Sequence, residues 1–319
     1  MELTLADFRA AHAVVRRHLA PTPLGGYPLL DRAAGATVLV KHENAQPVGA
    51  FKVRGGLTLL DALPAADRAR GTLTWSTGNH AQSLAYASHR YGVPCTVVMP
   101  AGTDPGRAAA VEAWGARVVL AGDRLEDAQE HAGKLAAETG ALAVSPGDTP
   151  ELLAGVGTLY LEILEREPDL DAIVVPVGSG TGAAAACLVS AALGARCAVI
   201  GVQSAASPAA HDSWRAGELL ARPNRSTVAG LATGRGYALP QRVMRAGLAD
   251  FLLVGDDEIG AARRLLASAA HTLAEGAGAA ALAGVLSRPD LFAGRRIAVV
   301  CSGGNADRAE LGTMIDGRG

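Results

Sequence analysis

The stretch Ala172-Ile173-Val174-Val175-Pro176-Val177-Gly178-Ser179-Gly180-Thr181-Gly182-Ala183 passes from an apolar, β-branched run through a glycine-rich turn into an alanine-rich, helix-forming run. That succession is the strand, loop and helix of a parallel α/β unit. The backbone N–H groups of such a loop, with the positive end of the helix behind it, form an anion cradle, so a phosphorylated ligand is the first expectation. The loop lacks the Gly-Lys-Ser/Thr ending of a nucleoside-triphosphate P-loop. Gly178, Gly180 and Ala183 satisfy the dinucleotide spacing, but the next apolar run ends at Val202 before Gln203, where a nicotinamide-binding unit offers an acid to the ribose. A turn that merely lets backbones pack closely would look the same. Taken alone, the loop leaves all three readings open.

The same alternation recurs on both sides of it. Short β-branched runs at Thr37–Lys41, Cys95–Met99, Arg117–Leu120, Ala172–Val177, Cys197–Val202, Phe251–Val254 and Arg296–Cys301 are separated by alanine- and leucine-rich segments. The expected class is therefore α/β with a mainly parallel sheet. Leu5, Phe8, His12, Val15 and Leu19 share one face of an amphipathic helix, opened by a capping box of Thr4 and Asp7, with His12 at the edge of that face. A length of 319 residues favours two domains, or one large α/β unit, at ~150 residues per domain. Residues 73–144 hold strand and helix alternations of their own. They suggest a small domain, 69–145, inserted into a large one made of 1–68 and 146–319.

Composition excludes several classes. Hydrophobic residues make up 49% and charged residues 19%, a folded rather than disordered balance. The net charge is −2 and no segment clusters Lys or Arg, so nucleic acid is not an expected partner. The longest nearly uninterrupted apolar run, residues 183–195, is shorter than the ~20 residues that span a bilayer. The opening Met1-Glu2-Leu3-Thr4 lacks the order of a secretory signal, so no membrane association and a cytoplasmic location are expected. Cys95, Cys187, Cys197 and Cys301 show no metal-ligand spacing, and three of the four sit in or beside apolar strand-like runs, as small core residues do.

Three further segments carry chemistry. Trp75-Ser76-Thr77-Gly78-Asn79-His80-Ala81-Gln82 follows the strand-like Thr72–Trp75 run and places hydroxyls, an amide and free N–H groups at a helix start, which suits a carboxylate; a plain N-cap with His80 packed into the first turn would need the same residues. Cys301-Ser302-Gly303-Gly304-Asn305 sets a hydroxyl at a strand end, or is a tight turn into the last helix. Pro47-Val48-Gly49-Ala50-Phe51-Lys52-Val53-Arg54-Gly55-Gly56 puts a lysine among small and apolar residues, where desolvation favours the neutral, nucleophilic amine. Lys41 and Lys134, the only other lysines, stand in ordinary strand and helix contexts.

Together, in this order and with Gly155-Val156-Gly157-Thr158, these segments resemble the fold type II pyridoxal-phosphate enzymes, the tryptophan-synthase β family, and within it the serine/threonine dehydratases. The resemblance runs nearly end to end. It implies two open, twisted, mainly parallel sheets flanked by helices. It implies that Lys52 carries pyridoxal 5′-phosphate on its amine and later takes the Cα proton, with Phe51 against the ring. Asn79 would bond the ring's O3′, Gly178, Ser179, Gly180, Thr181 and Gly182 would bind the phosphate, and Ser302 would meet the ring nitrogen. Glu275 would be the acid beside the ring. Ser76, Thr77, Asn79 and His80 would gather the substrate carboxylate, with Thr77 also counted as a catalytic position. The implied reaction is β-elimination of water from L-threonine or L-serine to a 2-oxo acid and ammonia, in a homo-oligomer, most simply a dimer.

Departures from the family pattern narrow this. Thr77 stands where racemase-like members carry their second acid/base serine, which argues against racemisation. Gln203 and Ala229 replace acids of the family's cation site, so no metal is expected. Ala50 replaces the usual serine before Phe51, and the lysine and asparagine segments look most like dehydratases of hydroxyectoine utilisation, which keeps a hydroxyectoine-derived amino acid open as substrate. With the sequence ending at Gly319, the C-terminal regulatory domain of biosynthetic threonine dehydratases, and with it feedback control by isoleucine, is not expected. A β-replacement enzyme of the same fold, a nicotinamide-dependent oxidoreductase and a non-catalytic binding module are the alternatives.

Overall fold

A computed structural model describes residues 3–315. Ten strands follow in chain order: β1 (Leu24–Gly26), β2 (Thr37–His42), β3 (Thr72–Trp75), β4 (Cys95–Met99), β5 (Arg117–Leu120), β6 (Leu142–Ala143), β7 (Ala172–Pro176), β8 (Ala198–Ser204), β9 (Asp250–Val254) and β10 (Arg296–Cys301). Six form one sheet in the order β1-β2-β10-β7-β8-β9, and four form a second in the order β5-β4-β3-β6. Every pairing is parallel except that of the edge strand β1 with β2. Parallel strands need crossovers that put helices on both faces, which is why β7 and β10 read as unbroken apolar runs.

One apolar cluster joins Val174, Val202 and Val299 to the helices Asp256–Ala270 and Gly276–Ser287. Another joins Ile173, Val175 and Val300 on the opposite face to the helices Pro150–Arg166 and Thr181–Leu193. The alternation of neighbours along β7 and β10 is the pleat of each strand feeding two cores. Among the described residues no helix is long and apolar enough to cross a membrane.

The first helix, Leu5–Arg16, opens on the expected capping box: Thr4 Oγ1 accepts from Asp7 N–H at 3.3 Å and Thr4 N–H donates to Asp7 Oδ2 at 2.8 Å. It ends before Leu19, which is buried in the cluster beneath the second sheet. That cluster is not confined to residues 69–145. It takes in Val15, Val48, Val53, Leu57, Leu60 and Leu152, so the helix Val53–Ala62 is shared between the two sheets' surroundings.

Glycines bring this helix close to its neighbours. A β-carbon on Gly56 would lie 2.6 Å from Ser83 Oγ on the helix Asn79–Tyr91, and one on Gly155 would lie 2.3 Å from the Arg54 carbonyl oxygen. Arg54 then locks the helix electrostatically. It donates from Nε and Nη2 to Glu43 and from Nη1 and Nη2 to Glu162, each at 2.8–2.9 Å, and from Nη1 to Thr158 at 3.0 Å. All five guanidinium N–H groups are used. Lys41 joins the network through Glu162 Oε2 at 2.5 Å and the Thr22 carbonyl at 3.0 Å. Two acids thus balance two bases in a nearly dry site, and both carboxyls are held below their ordinary range by the bases, against the upward push of burial. Lys41 is accordingly not the ordinary strand lysine that its sequence context suggests: it is 1% exposed.

Two strands escaped the sequence pattern. β1 is three residues with two glycines and β6 is two residues, too short to show alternation. β8 runs on to Ser204, past Val202, because Gln203 and Ser204 pair with Leu253 and Val254 and are fully buried despite their polarity.

Candidate active site

The chemistry-bearing loops lie beyond the carboxyl ends of parallel strands: β3 leads into Ser76, β7 into Gly178 and β10 into Ser302. Lys52 comes from elsewhere, as the residue before the helix Val53–Ala62 that Arg54 anchors. Its Nζ reaches the β7 loop, 3.0 Å from Thr181 Oγ1 and 3.4 Å from Ser179 Oγ, and lies 5.2 Å from the centroid of the Phe51 ring. Burial pushes the Lys52 ammonium down to about 8.

The β7 loop is built for an anion. The helix Thr181–Leu193 is entered through Gly180 at φ +92°, and its first internal bond is Ala184 N–H to the Gly180 carbonyl. The N–H groups of Thr181, Gly182 and Ala183 therefore precede the helical ladder and face outward at its positive end. A side chain on Gly178 would strike the Gly230 carbonyl oxygen at 2.2 Å. Hydroxyls, N–H groups and an ammonium converge there, a donor set that fits a phosphate monoester; the buried amine beside it fits an aldehyde.

The β3 loop has the same logic. Gly78 precedes the helix Asn79–Tyr91 without any side-chain cap, and Ser76 Oγ accepts from Gly78 N–H at 3.4 Å. The first-turn N–H groups of Asn79, His80 and Ala81 precede Gln82 N–H, which bonds the Gly78 carbonyl. Ser76, Thr77 and Asn79 line the same cavity as Lys52, Phe51, Gly178, Ser179, Gly180, Thr181, Gly182, Glu275 and Ser302. The sequence-selected residues are thus brought together.

His80 lines this cavity too. Its ring is buried against the second sheet, with Nε2 3.0 Å from Thr74 Oγ1, and desolvation pushes its pKa down to about 3. The imidazole is therefore neutral and engaged with Thr74, so the ring itself is not free to meet a carboxylate at the helix N-terminus. Its main-chain N–H is what remains for that task.

Asn79 Nδ2 donates to Glu275 Oε1 at 2.6 Å, and burial raises the Glu275 carboxyl to about 7 against the pull of that hydrogen bond. Ser302 is buried, and its carbonyl accepts from Phe51 N–H at 3.0 Å, tying the lysine turn to the end of β10. Gln203 Oε1 accepts from His211 N–H at 3.0 Å, so this amide is occupied in the fold. Among the described residues no cluster of three or more His, Cys, Asp or Glu is placed to hold a metal. The four cysteines are buried and free; burial pushes the Cys187 thiol up to about 12.

Several lining residues carried no sequence signal. Trp75, Leu125, Pro146 and Tyr237 complete an apolar wall, with Tyr237 packed flush on Gly147, where a β-carbon would be 2.3 Å from its ring. Arg107 also lines the cavity, bound across the cleft to Asp307 Oδ2 at 3.1 Å.

Comparison with known proteins agrees with this geometry. Residues 15–303 match the family model described as pyridoxal-phosphate dependent enzyme. The L-threonine ammonia-lyase of Thermotoga maritima is 34% identical over 98% of this chain and 78% of its own length. The L-threo-3-hydroxyaspartate ammonia-lyase of Saccharomyces cerevisiae is 31% identical over 99% of this chain and 97% of its own. Among solved structures, the processed form of threonine deaminase isoform 2 from Solanum lycopersicum superposes with a TM-score of 0.91 at 28% identity, covering 98% of this chain and 86% of that one.

Proposed function

Given that the chain belongs to the pyridoxal-phosphate-dependent enzymes, we propose that the cavity between its two sheets holds pyridoxal 5′-phosphate and a hydroxy-amino acid, and removes water from the latter. Addition of water to the released enamine, through its imine, then gives a 2-oxo acid and ammonia. The observation that carries this is Lys52: a single amine, shifted toward neutrality by burial and suspended over an anion cradle by Thr181 and Ser179.

When bound, pyridoxal 5′-phosphate supplies an electron sink for the charge left at Cα. In this reading the β7 loop holds the phosphate, Phe51 covers the ring and Asn79 donates to its O3′. Ser302 would offer the ring nitrogen a neutral hydroxyl rather than a carboxylate, and the ring would then supply a mild sink, suited to prompt loss of a β-substituent. Lys52 would hold the cofactor, and its Nζ would receive the Cα proton. Thr181 and Ser179 keep Nζ within reach. Ser76, Thr77 and the N–H groups at the start of the helix Asn79–Tyr91 orient the substrate carboxylate, and Trp75, Leu125 and Tyr237 shield the side chain from water. Residues 69–145 act here as a small unit carrying the carboxylate loop, set against the larger remainder.

L-Threonine is the first substrate to test. L-threo-3-Hydroxyaspartate is the second, because the relative named for it matches this chain over almost the whole of both lengths. The test is 2-oxo acid release by the cofactor-loaded protein from L-threonine, L-serine and L-threo-3-hydroxyaspartate, with Lys52→Ala alongside. Turnover and a visible absorption band, both lost in Lys52→Ala, are expected; an intact band with no release from any hydroxy-amino acid would overturn the dehydratase reading.

A further inference from the structure

Asn305 follows the Ser302-Gly303-Gly304 turn, yet it lies outside the cavity, on the crevice behind it with Arg107 and Asp307. Its carboxamide donates twice, from Nδ2 to the Val48 carbonyl and from Nδ2 to Asn79 Oδ1, each at 2.8 Å. Both of its N–H bonds are thereby used, and a main-chain carbonyl can only accept. A reversed Asn305 amide would set oxygen against oxygen at Val48, so its orientation is fixed.

Asn79 inherits that orientation. With Oδ1 held by Asn305, its Nδ2 faces Glu275 Oε1 at 2.6 Å, leaving one N–H on a residue that lines the cavity. The surrounding turns are shaped to this chain of amides. Gly49, at φ +67°, leaves room where a β-carbon would meet Asn305 Oδ1 at 2.6 Å, and a β-carbon on Gly303 would come within 2.2 Å of Glu275 Oε1 and 3.1 Å of Asn79 Nδ2. Gly304 N–H binds the Gly49 carbonyl at 2.8 Å and joins the two turns.

We propose that Asn305 is a positioning residue, which holds the Asn79 amide oxygen away from the cavity and so presents the remaining Asn79 N–H to the ring oxygen of the cofactor. This rests on the cofactor reading above. A flipped Asn79 would turn its oxygen toward the ring oxygen and withdraw its N–H from both that atom and Glu275 Oε1. The role depends on polarity rather than volume, and that separates it from packing. Asn305→Asp keeps the shape but replaces both donors by acceptors, favouring the flip. Asn305→Ala loses more volume but leaves Asn79 to Glu275, which still favours the native orientation.

The experiment measures the affinity for pyridoxal 5′-phosphate and the pH dependence of its visible band in holoenzyme carrying Asn305→Asp, Asn305→Ala, Asn79→Ala, and Asn305→Asp with Asn79→Ala. Melting of the cofactor-free proteins controls for folding. Asn305→Asp weakens cofactor binding roughly tenfold and shifts the band, Asn305→Ala does so by roughly threefold, and neither adds to Asn79→Ala. An aspartate milder than the alanine, or an effect that persists in full without Asn79, would overturn the proposal while leaving the cofactor in place. A native protein with no Lys52-dependent band would remove the reading beneath it.

Discussion

Gly155 and Arg54 are in backbone contact: a β-carbon at position 155 would lie 2.3 Å from the Arg54 carbonyl oxygen and equally close to Thr58 Oγ1. The helices Pro150–Arg166 and Val53–Ala62 can approach this closely only because residue 155 has no side chain. Since Lys52 is the residue entering the second of these helices, the contact also sets where the amine sits. Gly155→Ala is expected to force the helices apart, costing about 1–3 kcal/mol, and to weaken cofactor binding. Urea unfolding and cofactor titration check this; a variant with native stability and affinity would show that the contact has slack.

The lysine itself predicts a pH profile. Only the neutral amine attacks an aldehyde, and burial brings Lys52 to about 8. The rate at which cofactor-free protein captures pyridoxal 5′-phosphate should rise about tenfold per pH unit below that value and level off above it. Stopped-flow absorbance from pH 6 to pH 9.5 reads it directly. A profile still climbing at the top of this range would place Lys52 in a wetter site.

His80 makes the fold acid-sensitive. Its folded pKa, about 3, lies below its ordinary 6.5, so between these values the unfolded chain binds a proton that the native state refuses. Its contribution is complete above 6.5 and is lost as pH falls toward 3. Between pH 7 and pH 5 the native protein should lose about 2 kcal/mol from this group. In His80→Gln that part of the slope disappears. Parallel unfolding curves for the two proteins across this interval would contradict the burial of the ring.

Glu43 and Arg54 give a third stability test. Both are fully buried, and Arg54 has no donor to spare. Glu43→Gln leaves the guanidinium short of a charge partner, at a cost of about 3–5 kcal/mol. Because Glu43 and Glu162 are held below the ordinary carboxylate range, their contribution is full at neutral pH and falls away only as acid protonates them. Denaturant midpoints at pH 7 should drop steeply and respond little to salt. A surface-like loss, below about 1 kcal/mol and abolished by salt, would place the network in solvent.

The parts of this molecule that were visible in the sequence are those encoded locally. Gly178–Gly182 and Ser76–Asn79 mark themselves because glycine and hydroxyl residues at a strand–helix junction have few other uses, and the Thr4/Asp7 box spans a single turn. What stayed hidden depends on partners far along the chain. Lys41 meets Glu162 across 121 positions and Arg107 meets Asp307 across 200, so neither pairing leaves a trace in spacing. Asn305 stood in a recognised turn, yet its role needs Asn79, 226 residues away. The sequence left two readings of His80 open, because neighbours in sequence do not decide which way an imidazole turns at a helix start. β1 and β6 are set by the strands beside them rather than by their own residues.

The position of β10 has a consequence for how the molecule is made. Among the described strands it is the last in the chain, yet it lies in the middle of the larger sheet, between β2 and β7. Until residues 296–301 emerge from the ribosome, β2 and β7 are two open edges with nothing between them, the exposed pairing surfaces that invite aggregation. The strand that closes this gap also delivers Ser302 and Asn305, so a nascent chain completes its larger sheet and its cofactor pocket in one step. Chaperone dependence, and any benefit of supplying the cofactor during expression, would then be concentrated in the interval before residues 296–305 emerge.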